Sequence, residues 1–127
     1  MGFCMIKDTI KHEKWDSQLR KGSLELVVLA SLNGRQAYGL ELLKSLQQLP
    51  TMQLSEGTLY PLLDRLKREG LIAAEWYQEG DSRPRKYFQL TDEGQIKLAA
   101  LTDRWRQSVA DIEYLLDHPG PDPLFEE

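Results

Sequence analysis

The chain has 127 residues, 41% hydrophobic and 28% charged, with a net charge of −4, which suits one soluble domain with an added helix or arm. No apolar run approaches the roughly 18 residues that a membrane span needs, and the opening MGFCMIKDTI lacks the basic and apolar regions of a secretory signal. Cys4 is the only cysteine and there are two histidines, which excludes an internal disulfide and a cysteine-based zinc site, fits a reducing cytoplasm, and leaves no metal or other cofactor expected.

Residues 1–18 read as an N-terminal arm or short helix, polar and mixed in charge, with helical character expected over Lys11 to Leu19. In SLELVVLASLNG, Ser23 is the expected N-cap, Leu24, Val27, Val28 and Leu32 form an apolar stripe, and Leu26 and Leu29 widen it. Asn33-Gly34 ends that helix. AYGLELLKSLQQL gives a second helix, with Leu40, Leu43 and Leu46 in line, Leu42 and Leu49 beside them, and Pro50 as the stop. The third helix lies in LSEGTLYPLLDRLKREGLI: Ser55 is the cap, Leu59, Leu62, Leu63 and Leu66 keep helical spacing, and Gly70 terminates it. LIAAEWYQ and KYFQL alternate as strands, with Ile72, Ala74 and Trp76 sharing one side, and EGDSRPR between them makes a hairpin. TDEG then opens a long helix reaching about Leu116, capped by Thr91 with Asp92 and Glu93 in its first turn. HPGPDP breaks it, and residues 119–127 form a flexible tail.

Three short helices, a hairpin and a long helix make an α+β, mainly helical chain. Residues 19–90 are expected to form a winged helix-turn-helix, and residues 91–118 a C-terminal dimerisation helix. In that last helix Leu98, Leu101, Trp105, Ser108, Ile112 and Leu115 alternate by three and four, with Val109 and Leu116 at the flanks. A small domain does not cover the whole seam, so a second copy is expected on it, the alternative being a monomer that folds the helix back on itself.

The third helix carries an oddity. Gly57 and Pro61 fall opposite its leucines, where core packing does not call for them, and they cost roughly 1 and about 3 kcal/mol relative to alanine in a helix interior. A glycine at a helix start lets backbone approach phosphate closely; a start at Thr58 would instead place Pro61 harmlessly in the first turn. The same outward face holds Thr58, Asp64, Arg65 and Arg68, and Arg83, Arg85 and Lys86 cluster in the hairpin that follows. In a winged helix these two basic elements lie side by side, which favours DNA over three merely solvated cations. The charge distribution permits this: residues 91–127 hold nine acidic and three basic side chains, while residues 1–22 hold five basic and three acidic. Ser55, Asp64, His12 and His118 have no catalytic spacing, so an enzyme is not expected.

KGSLELVVLASL, AYGLELLKSL, LSEGTLYPLLDRLKREGLI, SRPRKYFQLTDEG and the later Trp105 together closely resemble the PadR family of bacterial and archaeal transcriptional regulators, from about Leu19 to Leu116. The single terminal helix is similar to the short-tailed members. The resemblance implies a dimeric winged-helix repressor with its recognition helix over Ser55 to Glu69 and its wing over Glu79 to Arg85. It carries DNA contact to Ser55, Gly57, Thr58, Tyr60, Arg83, Arg85 and Lys86, and phosphate contact to Tyr38 and Gly39. It also implies a planar aromatic effector between subunits near Trp105, within the interface of Leu98, Leu101 and Ile112. A pseudo-palindromic duplex, a second copy and this effector are the expected partners. A winged-helix protein–protein adaptor is the other reading, in which the hairpin and acidic tail hold a protein.

Overall fold

Apolar periodicity and turn chemistry set most of the elements where the sequence places them. The computed structural model describes residues 12–121; Cys4 and most of the expected arm lie outside these, as does the tail from residue 122. Helix α1 spans Glu13–Ser31, the two-residue strand β1 Ala37–Tyr38, helix α2 Gly39–Gln47 and helix α3 Glu56–Arg68. Strands β2 (Ile72–Tyr77) and β3 (Arg85–Leu90) follow, then the long helix α4, Asp92–Asp117. No helix among the described residues is long and apolar enough to cross a membrane.

Two expectations about the first half need correction. Ser23 does not cap a new helix: α1 runs unbroken through Gly22 and Ser23, and the Ser23 hydroxyl donates back to the Leu19 carbonyl at 2.9 Å. A serine inside a helix can satisfy its hydroxyl in that way without stopping the chain. The second helix begins at Gly39 rather than Ala37, because Ala37 and Tyr38 pair with Phe88 and Tyr87 of β3. The Tyr38 amide donates to the Glu41 carboxylate at 3.1 Å, half of a capping box at the start of α2. Leu40 and Leu49, placed on the apolar line by spacing, stand at the rim and are exposed.

The sheet has the order β1-β3-β2 and is antiparallel throughout, with Ile72 opposite Leu90, Ala74 opposite Phe88 and Trp76 opposite Lys86. The core gathers Val28, Leu29 and Leu32 of α1, Leu42, Leu43 and Leu46 of α2, and Leu59, Leu62, Leu63 and Leu66 of α3, closed by Ile72 and Phe88 of the sheet. These leucines hold α3 against β2 and so place the helix beside the wing.

α4 is capped as expected: the Thr91 hydroxyl accepts from the Gly94 amide at 3.0 Å and donates to the Gly70 carbonyl at 2.6 Å. Gly94 lies so close to the Leu71 carbonyl that a Cβ there would stand 2.0 Å from its oxygen. The expected seam divides in two. Leu98, 8% exposed, belongs to the chain's own core and Leu101 packs against it, whereas Trp105, Ile112, Leu115 and Leu116 remain exposed further along the helix.

Candidate nucleic-acid interface

α3 begins at Glu56, with Ser55 in the capping position, so Pro61 sits in the second turn and the harmless placement does not hold. The Ser55 carbonyl accepts from the Thr58 and Leu59 amides, and the Ser55 hydroxyl meets the Thr58 hydroxyl at 3.2 Å instead of capping an amide. Gly57 has no internal reason to be glycine, because a Cβ would meet only the Ser55 hydroxyl oxygen at an ordinary 3.8 Å. Gly57, Thr58, Pro61, Arg65 and Arg68 are all exposed. Arg65 lies two turns beyond Thr58 on the same side of the helix.

The wing reaches this helix through β1. Tyr38 is held beside Tyr87 by strand pairing, with their rings in an edge-to-face arrangement at 5.4 Å. The Arg85 guanidinium lies over the Tyr38 ring, 4.6 Å from its centroid, a cation–π contact that fixes a long side chain in a single direction. Lys86, on the other face of β3, lies 5.6 Å from the centre of the Phe88 ring. Tyr60 of α3 rests on Gly39, where a Cβ would stand 2.4 Å from the ring. Tyr38, Gly39, Tyr60, Asp64, Arg85 and Lys86 thereby line one hollow of about 260 Å³ between α3 and the wing.

The outer face of the wing forms a second hollow, of about 330 Å³, which Arg83 and Arg85 share with Gln36, Tyr77, Ser82 and Tyr87. The Tyr77 hydroxyl donates to the Glu75 carboxylate at 2.6 Å. That hydrogen bond raises the Tyr77 phenol above its ordinary value, with the Gln36 side chain pulling the other way.

Five of the ten residues expected at DNA thus meet in one hollow: Tyr38, Gly39, Tyr60, Arg85 and Lys86. Ser55 and Thr58 line a different one, at the start of α3, and there they are joined by Arg20 and Lys21 of α1. Arg20 donates to the Thr51 carbonyl at 3.1 Å. Motif spacing singles out neither of these cations; the positive balance of residues 1–22 is the signal that points to them. Neither hollow includes Arg65, and Arg83 reaches only the outer face of the wing.

Trp105, 49% exposed, lines a hollow of about 230 Å³ with Gly22, Leu26, Leu101, Arg104 and Ser108, between α1 and α4. Gly22 keeps that side open, since nothing lies within 4 Å of where its Cβ would be.

A family model described as the transcriptional regulator PadR-like family matches residues 28–100. Among solved structures, the chain is similar to a PadR family transcriptional regulator from Eggerthella lenta, at 38% identity and a TM-score of 0.73, covering 88% of this chain and 96% of that one. It is also similar to a PadR-like transcriptional regulator from Bacillus cereus, at 32% identity and a TM-score of 0.72, over 82% of this chain and 99% of that one. An uncharacterized protein of Lysinibacillus sphaericus is 26% identical over 103 residues, 80% of this chain and 91% of its own length.

Proposed function

The chain belongs to the PadR-like family of transcriptional regulators, and on that premise we propose that it is a sequence-specific, DNA-binding repressor that acts as a homodimer in the cytoplasm and is relieved by a small-molecule effector. α1 through β3 form the DNA-binding unit and α4 is the pairing helix. The observation that carries the reading is the hollow where Tyr60 of α3 meets Arg85 and Lys86 of the wing, beside a helix face where Gly57 has no internal reason to be glycine and Pro61 is exposed. α3 enters the major groove; Arg83, Arg85 and Lys86 hold the phosphate backbone; Arg65, Tyr38, Gly39, Ser55 and Gly57 lie along the same approach.

The experiment selects bound fragments from the source genome, then measures affinity for the best fragment and for random duplex against salt. The expected site is pseudo-palindromic, with half-sites about one helical turn apart, and affinity falls steeply with salt as counterions are released. Arg83→Ala with Arg85→Ala weakens both duplexes alike and flattens the salt slope. Thr58→Ala and Tyr60→Phe erode the preference instead, at about 1–3 kcal/mol for each base edge that goes unread. Equal, weak binding to every duplex at near-physiological salt overturns the reading in favour of the protein–protein adaptor.

The effector is a planar aromatic molecule held between the two subunits at Trp105; the exposed indole, and the hollow it lines with Leu26 and Leu101 beside the open side of Gly22, support this reading. Its binding changes the separation of the two recognition helices and lowers operator affinity. With Trp15 and Trp76 replaced by phenylalanine, quenching of Trp105 by planar aromatics together with DNA release is the expected result. A Trp105 signal that no such compound alters leaves the tryptophan a packing role only.

A further inference from the structure

Trp76 belongs by strand alternation to the face of the wing that carries Ile72 and Phe88 into the core. Ile72 and Phe88 are 2% and 4% exposed, yet Trp76 is 68% exposed. The core ends one residue pair short of it, so a large indole projects on the helix-facing side of the wing with nothing of the core beneath. Its partner in register is Lys86. Directly opposed side chains of an antiparallel pair stand about 5 Å apart at Cβ and share a face. Lys86 in turn lines the hollow with Tyr60 and Asp64 of the recognition helix. The indole therefore continues the wall of that hollow outward along the wing.

We propose that Trp76 is a DNA-contacting residue: its indole packs on the deoxyribose of a strand running between recognition helix and wing, while Lys86 beside it takes the adjoining phosphate. The inference rests on the DNA-binding reading and adds to it an uncharged contact. The sugar–phosphate backbone fits for two reasons. A deoxyribose offers apolar C–H surface flanked by anionic phosphates, and the wing offers an indole with the Lys86 ammonium beside it on the same face. The surface is also continuous with the candidate interface, whose hollow sets the single carboxylate of Asp64 against Arg85 and Lys86. An acidic protein segment would match the cations but leave the indole without an apolar partner at phosphate-like spacing.

An uncharged contact has a signature that separates it from the arginines. The salt slope counts phosphates neutralised, so removing an indole lowers affinity at every salt concentration and leaves the slope alone. Binding of a mixed-sequence duplex several helical turns long is measured against salt for the full chain and for Trp76→Ala, Trp76→Phe and the Arg83→Ala, Arg85→Ala double variant. Trp76→Ala is expected to give a parallel line about tenfold weaker, the scale of burying half an indole against a partner. Trp76→Phe recovers most of that affinity, and the arginine variant changes the slope. In a Trp15→Phe, Trp105→Phe form, adding the duplex should shield Trp76 emission from acrylamide, a neutral quencher.

If Trp76→Ala binds like the parent at all salt concentrations while the arginine variant is weakened, the DNA reading stands and the tryptophan contact is overturned. A slope change with Trp76→Ala overturns it as well, because the substitution would then act through Lys86. If the parent itself binds no duplex at low salt, the DNA reading falls first and this contact with it.

Discussion

Two glycines show how one atom acts differently according to what it would meet. A Cβ on Gly94 would stand 2.0 Å from the Leu71 carbonyl oxygen, which is backbone tied on both sides. Gly94→Ala must push α4 off the sheet, and we expect a loss of about 3 kcal/mol, at the upper end for overpacking, read as a lower urea midpoint at unchanged m. A Cβ on Gly39 would meet the Tyr60 ring, the free end of a side chain that is 39% exposed and has room to swing outward. Gly39→Ala should therefore shift stability by less than about 1 kcal/mol while weakening discrimination between DNA sites, since Tyr60 leaves its place. Equal effects of the two changes on the urea midpoint would show that Tyr60 is as fixed as the backbone.

At the level of elements, α3 carries its own measure of what its outward face is for. Pro61 stands in the second turn and removes one helical hydrogen bond, the one Gly57 would accept. Pro61→Ala should restore it and raise stability, by up to about 3 kcal/mol on helix propensity alone, seen as a higher melting temperature. A melting temperature that stays put would mean the missing hydrogen bond is already offset by the packing of Leu59 and Leu62. The sequence made α3, the hairpin and α4 legible because each has a sustained period and a stop or cap: Ser55 and Gly70, the Gly-Asp-Ser-Pro loop, Thr91. It hid β1, because two residues have no period, and Ala37-Tyr38 become a strand only when β3 arrives from far along the chain. It hid the continuity of α1, because Gly22-Ser23 reads locally as a boundary while packing against α4 carries the helix across. The candidate site was legible as a set of residue types, but the placement of Arg85 on Tyr38 was not, since strand pairing creates it. Spacing also could not separate Leu98, which faces the chain's own core, from Ile112, which does not.

For the whole molecule, the exposed end of the α4 seam is where the proposed second copy would pack. Ile112→Asp with Leu115→Asp places charge where both side chains are exposed in the single chain, so the fold of each protomer should survive. Sedimentation should then report the mass of one chain, and operator affinity should fall about a hundredfold or more, because two linked half-site contacts become one. An unchanged sedimentation mass would move the interface elsewhere. The joint at Thr91 has a mechanical consequence for such a pair. Its hydroxyl ties the Gly70 carbonyl just after α3 to the Gly94 amide at the start of α4, and its own amide donates to the Leu71 carbonyl at 3.1 Å. With Gly94 pressed against Leu71 as well, the junction has no slack and works as a weld rather than a hinge. α4 is 26 residues long, about 39 Å at ~1.5 Å per residue, and in the proposed homodimer it would act as a lever arm with its far end at the pairing surface. In that arrangement a turn imposed on the far end of α4 is expected to reach the foot of α3 through the Thr91 joint. Thr91→Val removes the weld's hydroxyl and costs about 1 kcal/mol at the helix start. Faster hydrogen exchange at the Gly94 amide should mark the joint as loosened, and an unchanged exchange rate would show that Gly94 packing alone carries the load.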